Sequence, residues 1–189
     1  MPTIDLRWDP DPSSVPWTMS GPVERGSIDG MSVSELQART RAELGLDPDR
    51  PVIVVGHQPE PWHPGILAKF MLGDLLAARH DAQLVHLVVD AHRGAWNRME
   101  WPSGVDADSF ATASWKYLDG HSERPMCREH AKRPRPVPDA EAMPGVLDGL
   151  HAWHAALEAE CGASNAALQC AGALNRLMKP WVAAMRTIT

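Results

Sequence analysis

Residues 51–90 read PVIVVGHQPEPWHPGILAKFMLGDLLAARHDAQLVHLVVD, and their reading decides the fold. The run at 51–55 is apolar and bounded by turn signals, the pattern of a strand buried in a sheet. From Ile66 to His80 the chain is apolar on nearly every face, with Lys69 and Asp74 the only charges before Arg79. That pattern predicts a helix covered on more than one side. Pro64 falls at its first position, where a missing N–H is tolerated. The β-branched run AQLVHLVVD predicts a second buried strand, stopping at Asp90. Strand, helix and strand of these lengths make a βαβ unit with parallel strands. Both strand ends then leave the sheet on one edge, which brings His57, after the first strand, near Asp90 at the end of the second. Ligands of open α/β sheets bind at that carboxyl edge.

Working outward, SVSELQARTRAELG at 32–45 predicts a helix that Ser32 caps, Glu35 completes as a capping box and Gly45 ends. Residues 1–30, rich in Pro, Ser, Gly and Asp, read as an extended N-terminal arm with a short strand at 3–8, anchored by Trp8 and Trp17. Residues 93–138 carry Trp96, Trp101 and Trp115 among short strands and loops and close on KRPRPVP, a stiff linker. Two helical patterns follow, from Asp139 to about Gly162 and from Ala163 to Met185, predicting a helical hairpin packed on the sheet with no strand after it.

The expected class is α/β: a Rossmann-like parallel sheet with flanking helices and a C-terminal helical hairpin. The expected organisation is an arm at 1–30, a Rossmann-like core at 31–138 and a C-terminal helical segment at 139–189. Two clear strands are few for a doubly wound sheet, so a truncated member of a larger family is also an expectation.

The 189 residues suit one domain, and 44% apolar content suffices for a core. With 18 Lys and Arg against 24 Asp and Glu the net charge is -6, and the basic residues are scattered apart from Lys132-Arg133-x-Arg135. A nucleic-acid groove is therefore not expected. Residues 1–20 hold no apolar h-region and no 18-residue apolar stretch occurs, so neither secretion nor a membrane span is expected. Cys127, Cys161 and Cys170 are odd in number and widely spaced, against a disulfide framework or a thiolate zinc site, and a cytoplasmic protein fits.

The chemistry concentrates in the turn. The helix start at Pro64 presents unpaired N–H groups and the positive end of a dipole, which favour an anion. Lys69 stands about a turn inside, and helical side chains lean toward the N-terminus, so its charge is directed to the same place. His57 and His63 suit hydrogen bonding to a phosphate or carboxylate, or proton shuttling near neutral pH. Gln58 adds polar contacts, and Gly56 and Gly65 let the backbone approach a ligand closely. Asp90 and His92 form a second pair, able to orient or deprotonate a nucleophile, bind a ribose hydroxyl or ligate a metal.

Competing readings stay open for each. The turn can be only a turn, Lys69 can snorkel to water, and Asp90 can cap the next turn. His86, in mid-strand, reads as a core histidine. His57, His63, Asp90 and His92 could ligate zinc, although their spacing is that of no compact motif. His151 and His154 read first as a polar helical face. No cofactor and no oligomeric state can be named.

The run VVGHQPEPWHPGILAKF, followed by VHLVVDAH, resembles the core of the bacillithiol biosynthesis cysteine-adding enzyme family. It is also similar to a group of uncharacterised bacterial proteins with GHQP, HPG and a Lys in this order, in which the ERP at 123–125 has a counterpart. PWHPGI is similar to the HxGH turn of nucleotidyltransferases, with His63 and Gly65 matching and Ile66 in place of the second His. HQPxxxxPG is similar to a family of sugar-biosynthesis proteins. His57 replaces the first Gln of the bacillithiol-type turn, so cysteine addition is not carried over. What the resemblance, over residues 51–92, implies is a Rossmann-like fold with a small-molecule site at this turn.

The expected function is therefore a transferase or ligase acting on a small anionic substrate, nucleotide-bearing or sugar-bearing. His57, His63, Asp90 and His92 would be catalytic, and Gly56, Gln58, Gly65 and Lys69 would bind substrate. A metal-dependent hydrolase built on the same histidines and Asp90, and a non-catalytic or truncated family member, are the alternatives.

Overall fold

A computed structural model describes residues 26–61, 64–91, 94–106, 109–121, 123–139, 145–183 and 185–188. Trp8, Trp17, the strand expected at 3–8, His63 and His92 lie outside the described residues. A short hairpin of β1 (Ser27–Ile28) and β2 (Met31–Ser32) leads into α1 (Val33–Glu43). Ser32 caps α1 through a capping box with Glu35, as its sequence predicts. Gly45 follows with φ +65, a conformation that favours glycine, and the Arg186 guanidinium packs over it, 2.6 Å from where a Cβ would be.

The βαβ unit is present as β3 (Val52–His57), α2 (Pro64–Arg79) and β4 (Gln83–Val88), with α2 starting at Pro64. β3 and β4 pair in parallel from Val52↔Gln83 to His57↔Val88. The expectation that no strand follows the terminal helices is overturned. β7 (Arg186–Ile188) pairs in parallel with β4, giving the strand order β3-β4-β7. Three residues are too few to reveal period-two patterning in sequence, and their pairing depends on an element about a hundred residues upstream.

The other strands are β5 (Arg98–Asp106) and β6 (Ser109–Lys116), an antiparallel hairpin that forms a sheet of its own. Mixed α/β architecture with a small parallel sheet thus holds, and the Trp-rich middle does not extend that sheet. α3 (Val146–Ala159) and α4 (Ala166–Met178) pack on one another as the helical hairpin. Asn165 caps α4 by accepting from Leu168 N at 2.9 Å.

Two buried clusters result. Trp96, Trp101, Trp115, Tyr117 and Met126 join the α3 and α4 core through Leu150, Trp153, Leu157 and Cys170. The Tyr117 hydroxyl donates to the Trp96 carbonyl, satisfying its polar end inside this core. The stretch 131–139 has no regular structure, yet it is strapped down: Gln169 bonds Lys132 N at 3.0 Å and Lys132 O at 2.6 Å, and Arg135 N donates to Tyr117 O at 2.9 Å. The second cluster joins Val55, Phe70, Ala77 and Leu84 with Met178 and Val182, so the end of α4 and the chain after it cover the same sheet face as α2.

Helices cover that face more narrowly than the sequence suggests. Only Phe70, Gly73 and Ala77 of α2 are buried, a single stripe, and Leu75 is 51% exposed. On the opposite sheet face Val54 and Leu87 are also exposed. Continuous apolar runs predict parallel strands covered on both sides, whereas among the described residues this second face is covered only in part, with Val85 buried between the exposed Val54 and Leu87. α2 sits close to the sheet at Gly73, where a Cβ would stand 2.8 Å from Val55 Cγ2 and 3.0 Å from Leu84 Cδ1. Gly73→Ala is expected to destabilise the protein by about 1–3 kcal/mol through overpacking, outweighing the ~1 kcal/mol that alanine gains in helix propensity. Urea unfolding checks this, and a more stable variant would refute the close approach.

Candidate functional site

The parallel pairing of β3 and β4 brings both strand ends to one edge, and the geometry there is local. Lys69, one turn and more into α2, folds back so that its Nζ donates to the Gly56 carbonyl at 2.8 Å. The ammonium therefore stands at the carboxyl end of β3, and it also lies 5.9 Å from the Phe70 ring centroid. His57 Nδ1 lies 3.2 Å from the Gln58 carbonyl oxygen. A carbonyl only accepts, so Nδ1 carries a proton in this bond. His57 O accepts from Val89 N at 3.1 Å, extending the ladder one step beyond β4 and bringing Asp90 to the same edge.

Gly56 has an ordinary backbone conformation, and a Cβ there would meet nothing nearer than Leu87 O at 3.7 Å. Packing among the described residues therefore gives no reason for glycine at this position. Pro64 and Gly65 are exposed at the start of α2, whose first turn contains no acidic residue. The positive end of the helix dipole and the Lys69 ammonium together give the mouth a positive side. Among the described residues strand order runs monotonically from β3 to β7, without a topological switch point.

No protein-family model, curated protein or solved structure matches this chain. What the site can do must come from its own residues.

Behind the mouth lies a polar seam. His86 is fully buried on β4, edge-on to Phe70 with ring centroids 5.0 Å apart. Burial is the main cause that lowers its pKa to about 4. The His57 backbone and the Asn175 side chain pull it the other way, while the charges of His57 and Lys69 lower it further. Asn175 Nδ2 in turn donates to Thr187 Oγ1 at 2.6 Å, and Thr187 pairs with His86 in the β4–β7 ladder. The reading of His86 as a neutral core histidine agrees with its surroundings.

Several site-facing residues were not singled out from sequence. Glu60, in the same turn, lies close enough to Tyr117 and Cys170 to raise both pKa values, after burial as the larger cause in each case. A glutamate among prolines reads as solvated, and only the docking of the turn against the Trp-rich core brings it inward. The 3-10 turn Met126–Arg128 follows the ERP stretch, and its Cys127 N donates to Asp90 O at 3.1 Å. Glu129, 5% exposed, has Lys132 Nζ at 3.9 Å and Arg124 Nη1 at 4.0 Å. The ERP motif was the one available sequence signal for this segment.

Among the described residues no group of three or more His, Cys, Asp or Glu gathers as a metal cluster. His57 and Asp90 are the described members of the expected ligand set. His154 stacks on Trp115 at 6.3 Å while His151 is exposed, so the HAWH pair behaves as a helix face. Among the described residues no helix is long and apolar enough to cross a membrane.

Proposed function

We propose that the carboxyl edge of β3 and β4 is the mouth of a small-molecule transferase or ligase of Rossmann-like type that takes an anionic substrate. The observation that carries the reading is the Lys69 ammonium, held 2.8 Å from Gly56 O at the strand end. Beside it stand the exposed N-terminus of α2 and a histidine whose proton is placed on Nδ1. Such donors favour negative charge on a bound phosphate or carboxylate and stabilise further charge that develops on it during group transfer. In this reading Gln58, Gly56 and Gly65 line the anion, His57 and His63 donate to it or move a proton, and Asp90 with His92 orients and deprotonates the nucleophile. The resemblance of VVGHQPEPWHPGILAKF to the bacillithiol-type and nucleotidyltransferase turns supports the same placement.

Binding of inorganic phosphate, followed calorimetrically at low ionic strength, tests it. Lys69→Met is expected to weaken phosphate binding by about 10–100-fold, the loss of one charge-assisted hydrogen bond. The double variant His57→Ala, His63→Ala should weaken it as well. Unchanged affinity in both variants would remove the anion role of the turn.

A further inference from the structure

The turn that carries the proposed anion site has a second side. Pro61, its last described residue before α2, and Leu67, in the first turns of α2, form one wall of a cleft of about 430 Å³. The opposite wall comes from the helical hairpin through Trp153 and Leu177, with Met99 of β5 and Trp181 completing it. Almost every lining group is apolar, and Trp181 remains 38% exposed at the rim. The volume lies within the roughly 300–1,000 Å³ range of small-molecule sites. The exposed indole of Trp181 at the rim also offers an aromatic surface, which stacks well on planar rings.

The geometry points to a substrate with two parts: an anionic group beside the Lys69 ammonium at the end of β3 and a flat apolar moiety, an aryl group or a nucleobase, in this cleft. The inference rests on the proposed anion site and sharpens it, because α2 contributes to both, through Lys69 at the strand end and through Leu67 on the cleft wall. A free sugar would leave its hydroxyls facing Leu67, Met99 and Leu177 without hydrogen-bond partners, a desolvation cost with no return. Between the nucleotide-bearing and sugar-bearing alternatives, the cleft favours the planar, less polar one.

Gly149 supplies a clean probe. It lies in α3 on the cleft wall, and a Cβ built there meets nothing within 4 Å. Gly149→Leu therefore projects into the cleft from a position with room for its Cβ among the described residues, and leucine in a helix interior is favoured over glycine, so the variant should fold at least as well. Calorimetric titration of the full chain with inorganic phosphate, glucose 6-phosphate and 1-naphthyl phosphate reads the two parts separately. Naphthyl phosphate is expected to bind the parent protein about tenfold or more tightly than either other anion. In Gly149→Leu that advantage should vanish while inorganic phosphate binds as before. An advantage that is absent in the parent, or that survives in Gly149→Leu, overturns the cleft assignment and leaves the anion site standing. Naphthyl phosphate binding lost in Gly149→Leu, with no phosphate binding by the parent, overturns the anion site instead. Failure of every ligand to bind overturns both.

Discussion

Phe70→Ala is expected to lower the unfolding free energy by about 3–5 kcal/mol, more than any other single truncation in the sheet cluster. Phe70 is fully buried in α2 and packs in one cluster with Val55, Leu84, Met178 and Val182. The loss has two parts: the transfer free energy of the ring and a term for the cavity it leaves. Collapse into that cavity is restricted, because Val55 and Leu84 are fixed by the parallel ladder and Gly73 already holds α2 against both. Phe70→Leu, which keeps much of the volume, should cost distinctly less. Urea unfolding at pH 7 measures both, and a Phe70→Ala loss below about 1 kcal/mol would mean that α2 is not docked through this ring.

The second large effect depends on pH and comes from His86. Its pKa falls from 6.5 to about 4 in the folded protein, chiefly because burial disfavours the charged ring. Between those values the unfolded chain binds the proton and the folded chain does not, so stability rises with pH across the window. The contribution is fully present above about pH 6.5 and is lost as pH falls toward 4, amounting to roughly 3 kcal/mol at the lower end. Other carboxyl groups titrate nearby, so the informative quantity is the difference between the parent and His86→Gln. That difference should change by roughly 2–3 kcal/mol between pH 7 and pH 4, in the direction of relative loss for the parent. A flat difference would show that His86 is hydrated or charged in the folded state. Phe70→Ala should flatten the same curve, since opening the pocket to water removes the cause of the shift.

The two predictions meet at the proposed mouth, because Phe70 and His86 form the floor beneath Lys69 and His57. Lys69 lies 5.9 Å from the Phe70 ring, and both His57 and Lys69 act electrostatically on His86. Loss of the floor should therefore also weaken phosphate binding without removing any group that donates to the anion.

Local chemistry was legible in the sequence wherever a signal is carried by neighbouring residues. Ser32 and Glu35 capped α1, Pro64 opened α2, and the two β-branched runs became the parallel pair β3 and β4. The direction of Lys69 toward the turn also follows from local geometry, since helical side chains lean toward the N-terminus. Each of these depends on contacts within a few residues or on the shortest parallel crossover a chain can make.

What only the tertiary structure decided involves partners far apart along the chain. β7 is too short to announce itself and exists because β4 offers it an edge. The Trp-rich strands form a separate hairpin because Trp101 and Trp115 bury against α3 and α4 and not against the parallel sheet. Glu60 is drawn toward Tyr117 and Cys170, and Pro61 forms a cleft wall with Trp153, for the same reason. Hydrophobic burial is non-directional, so a sequence specifies that these side chains must leave water but not which surface they meet. The sequence by itself determined the βαβ unit and the composition of its turn; the docking of the helical hairpin decided what that turn faces.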